Sequence, residues 1–360
     1  MKKKILLMLL VSFSVALTYA QKKAKKITAY AITAPQKGES GWAEVRLVDI
    51  VTGEELKTIY QSKQQIEILN ARTGKPVVKK EIKFNTIPAK KVVNLDFELE
   101  KKEPVSNTQV YTVNQDKNLQ PLKIDANVNV ESVKRDGSKN LIITKENTNN
   151  LNVQTDKPFA TNSAACAYDK KHDRLYYTPM GINQLRYIDL NSKNPRIYYF
   201  EDEPFGALSG PRDIPNQITR MVIASDGDGY ALTNNGNHLI RFTTNKKAAI
   251  TDLGALTDDA KNASFSIHSP GGYGGDMIAD ASANLYLIAA NRAVFKIDLQ
   301  SKVATYKGSI KGLPKSYTTN GAIVEEETTI IVSSANSTSG YYKFDINTLQ
   351  AEKISNSESV

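Results

Sequence analysis

The segment best equipped to do chemistry is His268-Ser269-Pro270-Gly271-Gly272-Tyr273-Gly274-Gly275-Asp276. Its four glycines allow a backbone to approach a ligand closely and to present clustered N–H groups to an anion. A phosphate-binding loop would also need a Lys-Ser/Thr pair running into a helix, and neither is present. Gly271, Gly272, Tyr273, Gly274 and Gly275 are therefore expected to form a flexible entry loop at the channel mouth or, alternatively, a rim that touches a partner or small ligand. Asp226-Gly227-Asp228-Gly229 opens like a calcium loop, but its fifth and twelfth positions hold Tyr230 and Asn237 where oxygen ligands belong. Asp-Gly there is ordinary turn chemistry. His172 beside Asp173, and His238 at the head of an apolar run, are expected to be structural or solvated. Cys166 sits between Ala165 and Ala167 and is expected to be a buried, small apolar residue. No Gly-x-Ser-x-Gly elbow or His-Glu-x-x-His helix occurs. One cysteine and three histidines exclude a disulfide framework and a Cys- or His-rich zinc centre. No catalytic residue, metal ligand or cofactor is assigned.

The elements that must hold these residues are short strands. The chain has 360 residues, 40% of them apolar and 24% charged, enough to bury a core and too apolar for disorder. Residues 276–280, 285–289, 294–298 and 303–306 alternate as four strands joined by tight turns, an antiparallel meander that must pack against other sheets. The unit recurs. Residues 164–169, 174–177 and 185–189 form one copy, residues 221–224, 229–232 and 238–242 another, and residues 322–324, 329–332 and 341–345 a third. Third strands end at Asp189, Thr243, Asp298 and Asp345, at spacings of 54, 55 and 47 residues. A period near 50 with four strands per unit is the signature of a β-propeller. Ile188, Phe242, Ile297 and Phe344 each precede the residue that ends a third strand, so they should be equivalent core positions between blades.

The turn after the third strand repeats as Asp189-x-x-Ser192, Asp298-x-x-Ser301 and Asp345-x-x-Thr348, and Asp49-x-x-Thr52-Gly53 and Asn70-x-x-Thr73-Gly74 share it. An Asp or Asn side chain bonds the backbone N–H two residues on, which explains the pattern without a ligand. With these strand ends ("YIDL", "FKID", "YKFD"), the chain resembles bacterial propellers of the WD-repeat-like and NHL types, well over residues 160–355 and poorly before them, with no WD dipeptide. Residues 27–155 are expected to hold further, weakly defined blades or a separate small β domain. Even spacing between Asp49 and Asp189 predicts seven blades, with six as the alternative. Gluconolactonase-type propellers hold a divalent cation in the channel with Glu and Asn. Asn320, Asp276 and Asp226 match that set in residue type only.

The N-terminus supplies an address. Lys2, Lys3 and Lys4 precede an apolar run of about 13 residues, shorter than the roughly 20 a membrane span needs. Thr18-Tyr19-Ala20 then offers a small-x-small cleavage site before Gln21. Residues 1–20 are predicted to be a signal peptide, residues 21–26 a basic tail and residues 27–360 the propeller. Removing the leader takes the formal charge from +9 to +6. The expected location is the periplasm, with secretion as the alternative. Nucleic acid and stable membrane insertion are not expected. The chain is similar to exported propellers that act as accessory subunits of outer-membrane secretion machines, including the type IX system. That resemblance implies a non-catalytic docking or capping subunit with a protein partner in the envelope; the alternative is a metal-dependent lactonase-type or carbohydrate-binding propeller. Mass spectrometry of the natural product should find Gln21 as the first residue; an intact Met1 in the membrane pellet would contradict the leader.

Overall fold

The computed structural model describes residues 26–36, 41–62, 64–77, 158–159, 162–201, 203–245, 249–334 and 340–355, with the backbone of five further strands between 89 and 146. The predicted leader and most of the basic tail lie outside these residues. Strands β1 (Thr28–Thr33), β2 (Glu44–Asp49) and β3 (Glu55–Tyr60) form the first antiparallel sheet. β4 (Ile68–Asn70) follows it. β5 (Ala89–Asn94), β8 (Asn129–Arg135) and β9 (Asn140–Glu146) pair in the order β5-β9-β8, while β6 (Tyr111–Val113) pairs with β7 (Leu119–Pro121).

The second sheet comprises β10 (Ser163–Asp169), β11 (Arg174–Pro179), β12 (Arg186–Asp189) and β13 (Arg196–Tyr199), with β4 added in parallel outside β13. The third holds β14 (Ile218–Ile223), β15 (Asp228–Thr233), β16 (Leu239–Thr243) and β17 (Ile250–Asp252). β18 (Thr257–Asp258) lies parallel and outermost on the fourth, whose antiparallel strands are β19 (Gly275–Ala279), β20 (Leu285–Ala289), β21 (Ala293–Ile297) and β22 (Val303–Ser309). The fifth holds β23 (Thr319–Glu326), β24 (Thr329–Ser334), β25 (Tyr342–Asp345) and β26 (Ala351–Lys353).

In the second to fifth sheets the chain runs outward strand by strand, and the first strands β10, β14, β19 and β23 lie side by side around a channel. Five apolar clusters sit between successive sheets, and one of them joins the first sheet to the fifth. There Val48 and Ile50 pack with Ile331 and Tyr341, closing the ring. The chain is thus a five-bladed β-propeller. Val48, Ile188, Phe242, Ile297 and Phe344, all 2% exposed or less, each occupy the cluster shared with the preceding blade. Four of these were expected, and Val48 supplies the fifth.

The expectation of seven blades, or six, is corrected by what the early turns do. Asp49 ends β2 of the first blade. Asn70 ends β4, which extends the second blade and starts none of its own. Among the described residues β5, β9 and β8 pair with one another, as do β6 and β7, and none of them pairs with a blade strand. Four-stranded antiparallel blades hold for the second to fifth; three strands of the first lie among the described residues.

The turn chemistry behaves as its residue types dictate. Asp49 Oδ1 accepts from the Val51 and Thr52 N–H groups at 2.9 and 3.4 Å, Asp298 Oδ1 from Gln300 and Ser301 at 3.1 and 2.7 Å, and Asp345 Oδ1 from Asn347 and Thr348 at 2.9 and 3.0 Å. Each turn ends a strand in register, so the residue before it faces the neighbouring blade. Truncating Phe344 to Ala should cost about 3–5 kcal/mol, as for a fully packed aromatic. Chemical denaturation reads the loss, and an unchanged midpoint would refute the register.

Candidate functional site

First strands start at one face of the disc, here called the upper face, and residues 271–275 lie there, immediately before and at the start of β19. Pro270–Gly272 forms a 3-10 turn, with Tyr273 N–H bonded to Pro270 O at 3.2 Å. The segment is not the flexible entry loop expected from its glycines. Arg220, fully buried on β14, donates from Nη2 to Gly272 O at 2.7 Å and from Nε to Gly274 O at 2.9 Å. Its Nη1 reaches Thr233 O and Asn234 O at 3.0 and 3.1 Å. One guanidinium fork therefore binds the 271–275 loop to the second-to-third-strand turn of the preceding blade. Burial lowers its pKa to about 10, with Tyr273 and Asp276 opposing.

Asn234 is the second tie. Its Oδ1 accepts from Gly274 N–H at 2.8 Å and from Thr219 Oγ1 at 2.6 Å, and its Nδ2 donates to Ile214 O at 2.9 Å. Gly274 and Gly275 have φ of +82° and +85°, and a Cβ on Gly275 would stand 2.1 Å from Ile288 O. Gly275 is required because the backbone passes this close, and Gly274 because its φ is positive.

Asp276 follows in the channel wall. Its Oδ1 accepts from Met277 N–H at 2.8 Å and its Oδ2 from Ala322 N–H at 2.9 Å, and Met221 N–H also bonds it. One carboxylate thus links β14, β19 and β23. Burial pushes its pKa up to about 7, against the pull of these N–H groups and of Arg220.

The remaining candidates do not converge. Asp226 lies in the β14–β15 turn on the lower face, where it accepts from Asp228 N–H at 2.9 Å and from Tyr230 Oη at 2.8 Å. It is therefore at the opposite end of the inner strands from Asp276, and Asn320 on β23 is exposed. No group of three or more His, Cys, Asp or Glu that could hold a metal ion occurs among the described residues. His172 Nδ1 lies 2.6 Å from Asp169 Oδ2 in its own turn, His238 Nδ1 2.7 Å from Asp252 Oδ2 on β17 and His268 Nδ1 2.5 Å from Asn235 O of the preceding blade, so each ring has a polar partner. Cys166 is only half-buried, facing the first blade, and its thiol is pushed up to about 12, chiefly by desolvation. A crevice lined by Thr178, Asn183, Phe205, Gln217 and Ile218 between the second and third blades is too tight to admit a water molecule.

Sequence reasoning missed Arg220 and Asn234. The available signal was an arginine inside the otherwise apolar run Met221-Val222-Ile223-Ala224 and its preceding strand residues, where a lone cation needs a dedicated set of acceptors.

No family model matches the sequence, and no curated protein matches it. Among solved structures the chain is similar to virginiamycin B lyase from Staphylococcus aureus (14% identity, TM-score 0.33, covering 72% of this chain and 71% of that one). It is also similar to a protein from Lactobacillus plantarum (12%, 0.41, covering 89% and 78%) and to one of unknown function from Bacteroides thetaiotaomicron (16%, 0.38, covering 89% and 71%). Likeness at this level says nothing of what this chain binds.

Because the folded pKa of Asp276 is raised from 3.8 to about 7, its contribution to stability is fully present below pH 4 and is lost as pH rises through 7. The limiting slope for one such group is about 1.4 kcal/mol per pH unit. Asp276→Asn should be less stable than the natural chain at pH 4, with the difference shrinking by pH 8. A pH-independent gap in denaturation free energy would show that the carboxyl titrates normally.

Proposed function

We propose that this propeller is an exported, non-catalytic docking subunit that binds a protein of the cell envelope through its upper face, as a cap on a secretion translocon would. The observation that carries this reading is Ile214. It is 62% exposed, yet its backbone is held by Gln217 N–H, by Asn234 Nδ2 and by its own N–H to Arg212 O. Asn234 joins it directly to the loop at residues 271–275. A rigidly presented apolar side chain beside a pinned, side-chain-poor loop is a surface prepared for contact at low ordering cost. Phe265, also exposed, lies on the neighbouring upper-face connection and stacks on Tyr306 with ring centroids 3.9 Å apart.

Further support comes from how the channel charges are spent. Arg220 gives its bonds to four backbone carbonyls, and both Asp276 oxygens accept backbone N–H groups, so neither is aimed at a substrate. No helix among the described residues is long and apolar enough to cross a membrane.

Replacing Ile214 with Asp tests the proposal without touching the hydrogen bonds, which are all made by backbone atoms or by Asn234. The variant should keep its unfolding midpoint within about 0.5 kcal/mol, as surface changes do. It should lose, by at least tenfold, a discrete envelope protein that the natural chain retains in a pull-down from solubilised envelope. Equal retention, together with chelator-sensitive hydrolysis of a lactone that is abolished by Asp276→Asn, would favour the lactonase-type alternative. The double change Gly272→Ala and Gly274→Ala is a poorer probe, because Ala at φ +82° is strained and the fold itself would lose stability.

A further inference from the structure

Arg220 on β14 and Asp276 on β19 lie on adjacent inner strands, and the Met221 N–H beside Arg220 reaches the Asp276 carboxylate. The two side chains nevertheless make no ion pair with each other. Four of the five guanidinium N–H groups go to carbonyls, two on Gly272 and Gly274 of the upper-face loop and two on Thr233 and Asn234. The partners of Asp276 are the N–H groups of Met221, Met277 and Ala322. Two other titratable groups face this pair. Cys166 comes from β10, its thiol pushed up to about 12 chiefly by desolvation, and Tyr273 comes from the loop itself. β20 opposes Asp276 with Ile288, and β23 brings Ala322 and the uncharged Asn320. His268, on the same connection, bonds Asn235 O. Asp276 is thus a buried acid whose partners are all donors, beside a cation that is engaged elsewhere.

Ionising an acid in such a place leaves a buried charge that has to recruit water or a cation. Arg220 is the cation whose charge already acts on it. We propose that the Arg220 fork has two alternative seats, the Gly272 and Gly274 carbonyls when Asp276 is neutral and the Asp276 carboxylate when it is ionised, so that loss of one proton releases the loop at residues 271–275. Nη1 keeps Thr233 O and Asn234 O, while Nε and Nη2, the pair that grips a carboxylate side-on, turn to Asp276. The two freed carbonyls belong to the upper-face loop, where a loosened backbone is hydrated. Asn234 Oδ1 still accepts from Gly274 N–H, so the loop is loosened and not unfolded. The sign follows from burial. The folded pKa of Asp276 is raised from 3.8 to about 7, so the pinned arrangement is favoured below pH 7 and is lost as pH rises through it. The inference rests on the docking reading only for the use of the loop: the upper face is ordered for contact in mildly acidic surroundings and loose in alkaline ones.

Hydrogen exchange on the full chain tests this with no partner present, so a failure of the docking reading leaves its result unaffected. The Gly272 and Tyr273 amides, bonded to Ser269 O and Pro270 O, are the probes. Their protection factors should be constant below pH 6 and fall above pH 7 by up to about tenfold per pH unit, the limit for one proton, while the β20 amides keep theirs. In Asp276→Asn, whose side chain does not ionise, protection should stay high at every pH. The Arg220 Nε–H resonance of the natural chain should move with the same midpoint, a readout that stands even where the variant fails to fold. Loop protection that does not change with pH, or an Nε–H resonance that does not titrate, overturns the proposal. A fall in protection that survives in Asp276→Asn also overturns it and assigns the loosening to His268.

Discussion

A four-stranded antiparallel blade has two faces that are both too apolar for water, and no blade can cover its own. Everything else in this chain is arranged around that debt of burial. Each of the five clusters is built from two blades, so removing one would expose the faces of two others. The residue before each third-strand end is where the constraint is sharpest, since Val48, Ile188, Phe242, Ile297 and Phe344 all point back into the preceding sheet. Full burial of such a side chain is worth roughly 1.5–3 kcal/mol. The Asp turns contribute by fixing the phase of the strand: with a period of two, a slip of one residue would turn these side chains to the opposite blade.

Because strand side chains are consumed in this way, polar residues inside the disc have to be neutralised by backbone. Arg220 and Asp276 do so in opposite senses, the cation gathering carbonyls and the carboxylate gathering N–H groups. Between them they hold the first strands of the third, fourth and fifth blades and the upper-face loop that leads into the second of these strands. The hydrogen bonds of these two interior groups are thus spent on backbone, and what varies in shape is left to the connections above them.

How much of this was legible in the sequence follows from the range of each interaction. The third-strand ends and their Asp turns are local, and residues such as Asp298 and Ser301 display them within four positions. The blade count was not, because the same turn chemistry caps any tight hairpin. Asn70 makes the same bonds as the blade turns, from Arg72 and Thr73 N–H, at the rim of another blade's sheet. The glycine loop was misjudged for a related reason. Glycine content reports which torsions a segment can adopt, whereas its rigidity here is conferred by Arg220, more than 50 positions earlier in the chain. Asp276 was singled out by residue type as a channel group, but its role as a bridge among three strands depends on Met221 and Ala322, which nothing in its own neighbourhood announces.

The cluster that closes the ring joins residues 27–50 to residues 323–354. The other four join blades that follow one another around the disc, and within each blade the antiparallel pairing is between consecutive strands. Such hairpins are local contacts that form early and quickly, while the closing contact spans most of the chain and carries the largest loop-closure entropy. During synthesis, or during threading through a pore from the N-terminal end, the first blade emerges with half of its apolar surface uncovered and must wait for the last blade to arrive. The time that surface spends exposed is set by the delivery rate of some 270 intervening residues, not by its own folding rate. Vectorial delivery thus makes the first blade the segment most in need of a chaperone, even though it is the first to be made.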